Sequence, residues 1–158
     1  MKTLCIGEIL WDIIGGVPFL GGAPLNAAAH LAQFGAESYL LSAVGNDELG
    51  QKALARLTEA GVRPDYIAVR EDAPTGTALV FPEKEGSDRF LLPENVAYDR
   101  TALPEGPLPA FNGLVYGTLA SFRSNSVKQA VLALAKANPQ AEKLYDVNLR
   151  LSFYDRAL

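Results

Sequence analysis

From Thr3 to Val69, short apolar runs alternate with Ala- and Leu-rich segments of helical spacing, and this alternation constrains the chain more than any other feature. Thr3-Leu4-Cys5-Ile6 is an apolar run closed by Gly7-Glu8 and is predicted as a buried strand. Pro24–Phe34 is predicted as a helix, since proline suits a first helical position, alanine fills the interior and Gly35 suits a left-handed stop. Ala27, Leu31 and Phe34 would form its apolar stripe. Ser38–Val44 reads as a second strand. Asp47 suits the N-cap of a helix over Glu48–Ala60, where Leu49, Ala53, Leu57 and Ala60 repeat at helical spacing before Gly61. Tyr66–Val69 reads as a third strand. The order strand, helix, strand, helix, strand argues for an α/β fold, a parallel sheet covered by helices.

The rest of the chain departs from that rhythm. Ile9–Ile14 is an apolar run with one carboxylate, Asp12, and it is broken by Gly15-Gly16, with Pro18 marking a turn. Thr77–Phe81 and Arg89–Leu92 flank the polar stretch Glu83–Ser87, a pattern that suggests an antiparallel hairpin beside the main sheet, paired with the Ile9–Ile14 run. Leu103–Pro109 is a Pro-rich loop. Gly113–Gly117 reads as a buried strand, Asn125–Ala137 as a helix with Val127, Val131, Leu132 and Leu134 on its inner side, and Leu144–Val147 as a last strand.

Composition narrows the function. At 158 residues and 49% hydrophobic, the chain suffices for a globular domain that buries roughly two thirds of its unfolded surface. The net charge of −4, with no basic block, argues against nucleic acid as a partner. Every apolar run breaks before the roughly 18 residues of a membrane span. Met1–Trp11 does not follow a signal-peptide pattern, and Cys5 as the sole cysteine excludes an internal disulfide. A cytoplasmic location is the simplest expectation.

Three groups of residues invite a chemical reading. Glu8 and Asp12 stand where apolar strands break, the end of an α/β sheet at which ligands collect, and carboxylates there accept hydrogen bonds from sugar hydroxyls. The alternative is a solvated pair on a loop edge. Gly21-Gly22-Ala23-Pro24-Leu25-Asn26 places two glycines before a helix N-terminus with its free N–H groups, and Asn26 adds an acceptor and two donors in the first turn. This suits a polyhydroxylated ligand, or it is an ordinary loop leading into a helix. Asp146-Val147-Asn148-Leu149-Arg150 collects polar groups at a sheet edge, where Arg150 either grips a phosphate or pairs with a surface carboxylate. His30 reads as structural and Cys5 as a core residue. Trp11 and Phe19 would stack on a sugar face or pack within a lid.

The run Gly21-Gly22-Ala23-Pro24-Leu25-Asn26-Ala27-Ala28, with Gly35 and then Ala43-Val44-Gly45-Asn46-Asp47-Glu48-Leu49-Gly50, resembles the N-terminal signature of the ribokinase (PfkB) family of carbohydrate kinases. Gly7-Glu8-Ile9-Leu10-Trp11-Asp12, Gly117-Thr118-Leu119-Ala120-Ser121 and Asp146-Val147-Asn148-Leu149-Arg150 resemble the fructokinase branch. The resemblance implies a ribokinase-like three-layer α/β sandwich with a mostly parallel sheet. A small β-sheet lid would be formed by segments at about 9–19 and 75–98, within a sugar-binding part spanning residues 1–158. It implies that Asp12, Gly22 and Asn26 hold sugar hydroxyls, with Glu8 and Gly21 beside them. Arg89 and Phe90 would be lid contacts, and Asn148 and Arg150 would face the transferred phosphoryl group. The implied reaction moves the γ-phosphoryl of ATP, with Mg²⁺, to a sugar hydroxyl, fructose above other sugars.

Family members place the proton-accepting aspartate in a Gly-Ala-Gly-Asp motif. That motif is absent from these 158 residues, so no catalytic base and no metal ligand is assigned to the chain, and the base is expected beyond Leu158. The chain is expected to be the N-terminal, sugar-binding half of a kinase, inactive alone, with an apolar edge where the other half packs. The alternatives are a kinase for 2-keto-3-deoxygluconate, ribose or a nucleoside, and a non-catalytic sugar-binding module or one that forms a homodimer through the lid.

Overall fold

The computed structural model describes residues 1–81 and 89–149, with the side chain of Arg89 outside that description. The expected hairpin turn Glu83–Ser87, Arg150 and the segment 151–158 also lie outside the described residues. That segment includes Leu158, so the expectation of a base beyond Leu158 falls outside them as well. In chain order the elements begin with β1 (Lys2–Ile6), β2 (Leu10–Ile14), β3 (Val17–Gly21), α1 (Ala23–Gln33), β4 (Glu37–Gly45) and α2 (Glu48–Glu59). They continue with β5 (Ile67–Arg70), β6 (Gly76–Phe81), β7 (Arg89–Leu91) and a 3₁₀ turn over Ala97–Arg100. Last come β8 (Gly113–Gly117), α3 (Thr118–Arg123), α4 (Asn125–Ala137) and β9 (Glu142–Asp146).

The main sheet has five strands in the order β5-β4-β1-β8-β9, and every pair in it is parallel. Successive side chains of a strand point to opposite faces, and the central strands are apolar on both. Leu4 and Ile6 of β1, with Tyr39 and Leu41 of β4, pack under Val127, Ala130, Val131 and Leu134 of α4. Cys5, Leu40 and Val44 pack on the other face, against Leu25 and Ala28 of α1 and Ala53 and Leu57 of α2. Three layers result, helix on sheet on helix. Each fully buried aliphatic side chain contributes about 1.5–3 kcal/mol. Cys5 is a core residue as expected, and burial pushes its thiol up to about 12.

The chain leaves β1 toward β4 and β5 on one side of the sheet, while β8 leads to β9 on the other. The direction of winding reverses between β1 and β8. The carboxyl ends of adjoining strands open a crevice at such a point, and Glu8, Thr118 and Asn148 stand there.

The second sheet has four strands in the order β3-β2-β6-β7. The expected pairing of the 9–14 run with the hairpin is present, as β2 runs parallel to β6 and β6 antiparallel to β7. The sequence reading missed β3. Gly15 and Gly16 take φ 58° and 83°, the left-handed pair that a tight two-residue hairpin requires. Pro18 does not end the strand, because β3 lies at the sheet edge, where a missing N–H leaves no ladder bond unmade.

Other expectations need correcting. Phe34 is 89% exposed; it is the C-cap of α1, and the buried face is Pro24, Leu25 and Ala28. Leu132 is 55% exposed rather than inward, because it lies next to Val131 on the far flank of α4. The last strand begins at Glu142, two positions before the apolar run suggested. Its side chains Leu144 and Tyr145 are half exposed on opposite faces of the sheet. A groove of about 390 Å³ between Tyr116, Phe122, Val131, Leu132 and Tyr145 follows the α4 side of that edge.

Candidate functional site

The site begins with backbone contact between the segment after β1 and the start of α1. Gly22, the N-cap of α1, has φ 114°, and a Cβ on it would stand 2.4 Å from the Glu8 carbonyl oxygen. Only glycine permits both the conformation and the approach. Gly21 is close-packed for a different reason, since a Cβ there would meet the Asp12 carboxylate at 2.5 Å. The glycine pair therefore seats two carboxyl-bearing segments against the helix N-terminus.

Asp12 lies on the same face of the lid sheet as Leu10 and Ile14, and its register partners are Phe19 on β3 and Ala78 on β6. That face closes one side of a cavity of about 420 Å³, to which Val80, Phe90 and Leu92 contribute apolar wall. Glu8, Gly22, Asn26 and Asn148 close the other side. The structure thus brings Glu8, Asp12, Gly22, Asn26, Phe90 and Asn148 around one cavity, with Gly21 beneath Asp12. Arg89's side chain and Arg150 lie outside the described residues.

A second cavity, of about 550 Å³, lies on the α1 side of β8 and β9. It is lined by Pro24, Gly117, Tyr145, Asp146 and Val147, and it shares Glu8 and Asn148 with the first. Asn148 is held from below. The Thr118 hydroxyl donates to the Asn148 carbonyl at 2.6 Å and accepts the Asn148 N–H at 2.9 Å.

Glu8 is 4% exposed and its Oε1 accepts the Ala23 N–H at 3.2 Å. Burial pushes its carboxyl up to about 7; backbone amides, that of Ala23 among them, oppose the shift, Asp146 adds to it and Arg123 reduces it. A carboxyl poised at neutrality in a cleft is a mark of functional sites.

Behind this wall Arg123 makes a two-pronged ion pair with Asp99 at 2.8 and 2.9 Å and donates to the Pro93 carbonyl at 2.6 Å. Its guanidinium also lies over the Tyr98 ring. These contacts tie the return from the lid to α3. Asp47 does the same on the far side, capping α2 through the Gly50 N–H and accepting from both the backbone and the hydroxyl of Thr75, just before β6.

Neither Thr118 nor the Arg123–Asp99 pair was identified from the sequence as a site residue. Each acts through partners about 24–30 positions away, and only Thr118 fell in a stretch with a recognisable pattern. The two aromatics of the sequence reading separate. Trp11 is buried on the opposite face, where its indole N–H donates to the Leu49 carbonyl at 3.1 Å. Phe19 stays half exposed opposite Asp12. His30 is exposed in the last turn of α1.

A mostly parallel sheet between helices, with a second, small mixed sheet beside it, is the fold of the ribokinase-like kinases. The chain belongs to the pfkB family of carbohydrate kinases, whose pattern it matches over residues 16–158. It is 30% identical to an uncharacterized sugar kinase of Pyrococcus horikoshii over 94% of this chain and 52% of that one. A plant relative, "Probable fructokinase-6, chloroplastic" of Arabidopsis thaliana, is 28% identical over 98% of this chain and 45% of its own length. The chain thus spans about half the length of these relatives. A solved structure of the Pyrococcus kinase superposes with a TM-score of 0.85 at 28% identity, over 99% of this chain and 58% of that one. A fructokinase of Xylella fastidiosa shares the fold, with a TM-score of 0.82 at 21% identity over 99% of this chain and 53% of that one.

Proposed function

We propose that this chain is the acceptor-binding half of an ATP-dependent sugar kinase of the fructokinase type. The observation that carries the reading is the single cavity where Asp12 from the lid, Asn26 from α1 and Asn148 from the end of β9 converge. Asp12 would accept hydrogen bonds from sugar hydroxyls, and Asn26 would both donate and accept. The apolar wall of Val80 and Phe90 would cover the ring and exclude water. Asn148 would face the transferring phosphoryl group. Fructose is favoured because relatives and neighbours carry fructokinase names. ATP as donor is supported by the structure of the Pyrococcus kinase in complex with ATP.

The proton-accepting group and the nucleotide pocket would come from polypeptide beyond Leu158, which these 158 residues do not contain. The β9 edge, the end of the main sheet among the described residues and apolar on both faces, would offer that polypeptide a surface. Among the described residues no three His, Cys, Asp or Glu side chains cluster to hold a metal ion, and no step through Mg²⁺ is derived from this chain. The test is titration with fructose alongside a coupled ATP assay. Binding without turnover, abolished by Asp12→Ala, is the expected result. Absence of binding would overturn the acceptor site, and turnover at an ordinary kinase rate would overturn the division into halves.

A nucleoside acceptor is the second reading, favoured by the half-exposed Phe19 ring across from Asp12, on which a flat base would stack. Tighter binding of guanosine than of fructose, reversed by Phe19→Ala, would establish it. Ile14, Val17 and Phe19, exposed near the free β3 edge, also suit a lid-to-lid homodimer. Sedimentation at rising concentration, with and without the 15–16 hairpin tip, tests that.

A further inference from the structure

The two cavities share one titratable wall, the Glu8 carboxyl at the switch point of the sheet. From Glu8 a continuous set of contacts runs into the first turn of α1. Its Oε1 accepts the Ala23 N–H. Its backbone carbonyl fills the space where a Gly22 side chain would stand. Gly22 in turn offers its carbonyl to the Asn26 N–H at 2.9 Å. These contacts join Glu8 to the turn that carries Asn26. The charged or titratable groups that face it from the packed elements are Asp146 at the end of β9, Arg123 of α3 and Tyr98 of the 3₁₀ turn.

We propose that Glu8 is a positioning residue of the acceptor site: its ionised carboxylate fixes the first turn of α1, and with it Asn26, while proton uptake loosens that turn and weakens acceptor binding. The inference rests on the acceptor reading above. A carboxylate accepts from an amide at a helix N-terminus more strongly than a neutral carboxyl does, because its charge meets the positive end of the helix dipole. Since burial places the Glu8 carboxyl at about 7, the change falls in the neutral range. Its direction is fixed: acceptor affinity rises with pH.

Fructose titrations from about pH 5.5 to about 8.5 are expected to show a rise in affinity of about fivefold, centred near neutrality. Glu8→Gln should bind with no such rise, since its amide oxygen still accepts from Ala23 but takes up no proton. A flat wild-type profile, or a rise retained in Glu8→Gln, would overturn the proposal.

A second measurement separates this inference from the acceptor reading. In ¹⁵N-labelled wild type without sugar, the Ala23 and Asn26 amide resonances should titrate together near neutrality, and in Glu8→Gln they should not. If they fail to titrate in the wild type, the proposal falls whatever the sugar result, and the wild-type spectrum suffices should the variant not fold. If they titrate but no sugar binds, the acceptor reading falls and, with it, the role of Glu8 in positioning an acceptor.

Discussion

Thr118 grips Asn148 by both ends of its backbone, donating to the carbonyl at 2.6 Å and accepting the N–H at 2.9 Å. The hydroxyl belongs to a residue only 3% exposed; the Asn148 N–H also reaches the Asp146 carbonyl at 3.0 Å, so the bond to the Asn148 carbonyl is the larger loss when the hydroxyl is removed. One side chain at the start of α3 thereby fixes the chain just past β9, where Asn148 borders both cavities. Thr118→Val keeps the shape and removes both bonds, and should cost about 1–3 kcal/mol. Thr118→Ser keeps them and should restore most of it. Urea denaturation of the two variants checks this, and equal midpoints would contradict the relationship.

Glu8 makes stability depend on pH in an unusual direction for a carboxyl. Its ordinary value is 4.5 and the folded value about 7, so the folded state holds the proton more tightly. Stability is then full below the ordinary value, falls as pH rises between the two and is lowest above the folded one. The loss should reach about 3 kcal/mol relative to Glu8→Gln. Denaturation midpoints of both proteins across that window test the sign, and a wild type that gains stability there would contradict it.

Asp47 should behave in the opposite way. Burial alone would raise its carboxyl, but the Thr75 backbone and hydroxyl and the Gly50 amide outweigh burial and hold it below its ordinary value of 3.8. Its contribution is present above that value and is lost as pH falls through the lowered one. Asp47→Ala should lose about 2 kcal/mol at neutral pH. The gap to wild type should close in strong acid, as thermal unfolding at several pH values would reveal.

Gly21 and Gly22 are adjacent but should fail differently. Gly22→Ala forces a side chain into φ 114° and against the Glu8 carbonyl, so it should destabilise the fold by about 2 kcal/mol or more. Gly21→Ala meets only the end of the Asp12 side chain, which can swing away. Its melting temperature should stay close to wild type while fructose binding weakens by about tenfold or more. Calorimetry on both variants distinguishes the two, and a stable Gly22→Ala would refute the backbone contact.

The layered fold was legible because its cause is local. Cys5 and Leu40 alternate with Leu4 and Leu41 along strands apolar on both faces, and α1 and α2 repeat at helical spacing between a cap and a glycine stop. β3 was not legible, because Pro18 is a breaker everywhere except on an edge, and nothing near it in sequence says which strand is the edge. Leu132 and Phe34 misled for a related reason, since hydrophobicity marks a residue as fit for burial but not whether another layer covers it.

The sequence by itself determined the strand-helix order, the glycine-paired start of α1 and the residues able to contact a polyhydroxylated ligand, because these follow from neighbours a few positions apart. Only the tertiary structure decided that Asp12 and Asn148, 136 positions apart by their numbers, share one cavity, that Trp11 turns away from it and that Glu8 is desolvated between two cavities. Those outcomes depend on which strands adjoin across the switch point and on what their packing shuts off from water, and no local pattern encodes either.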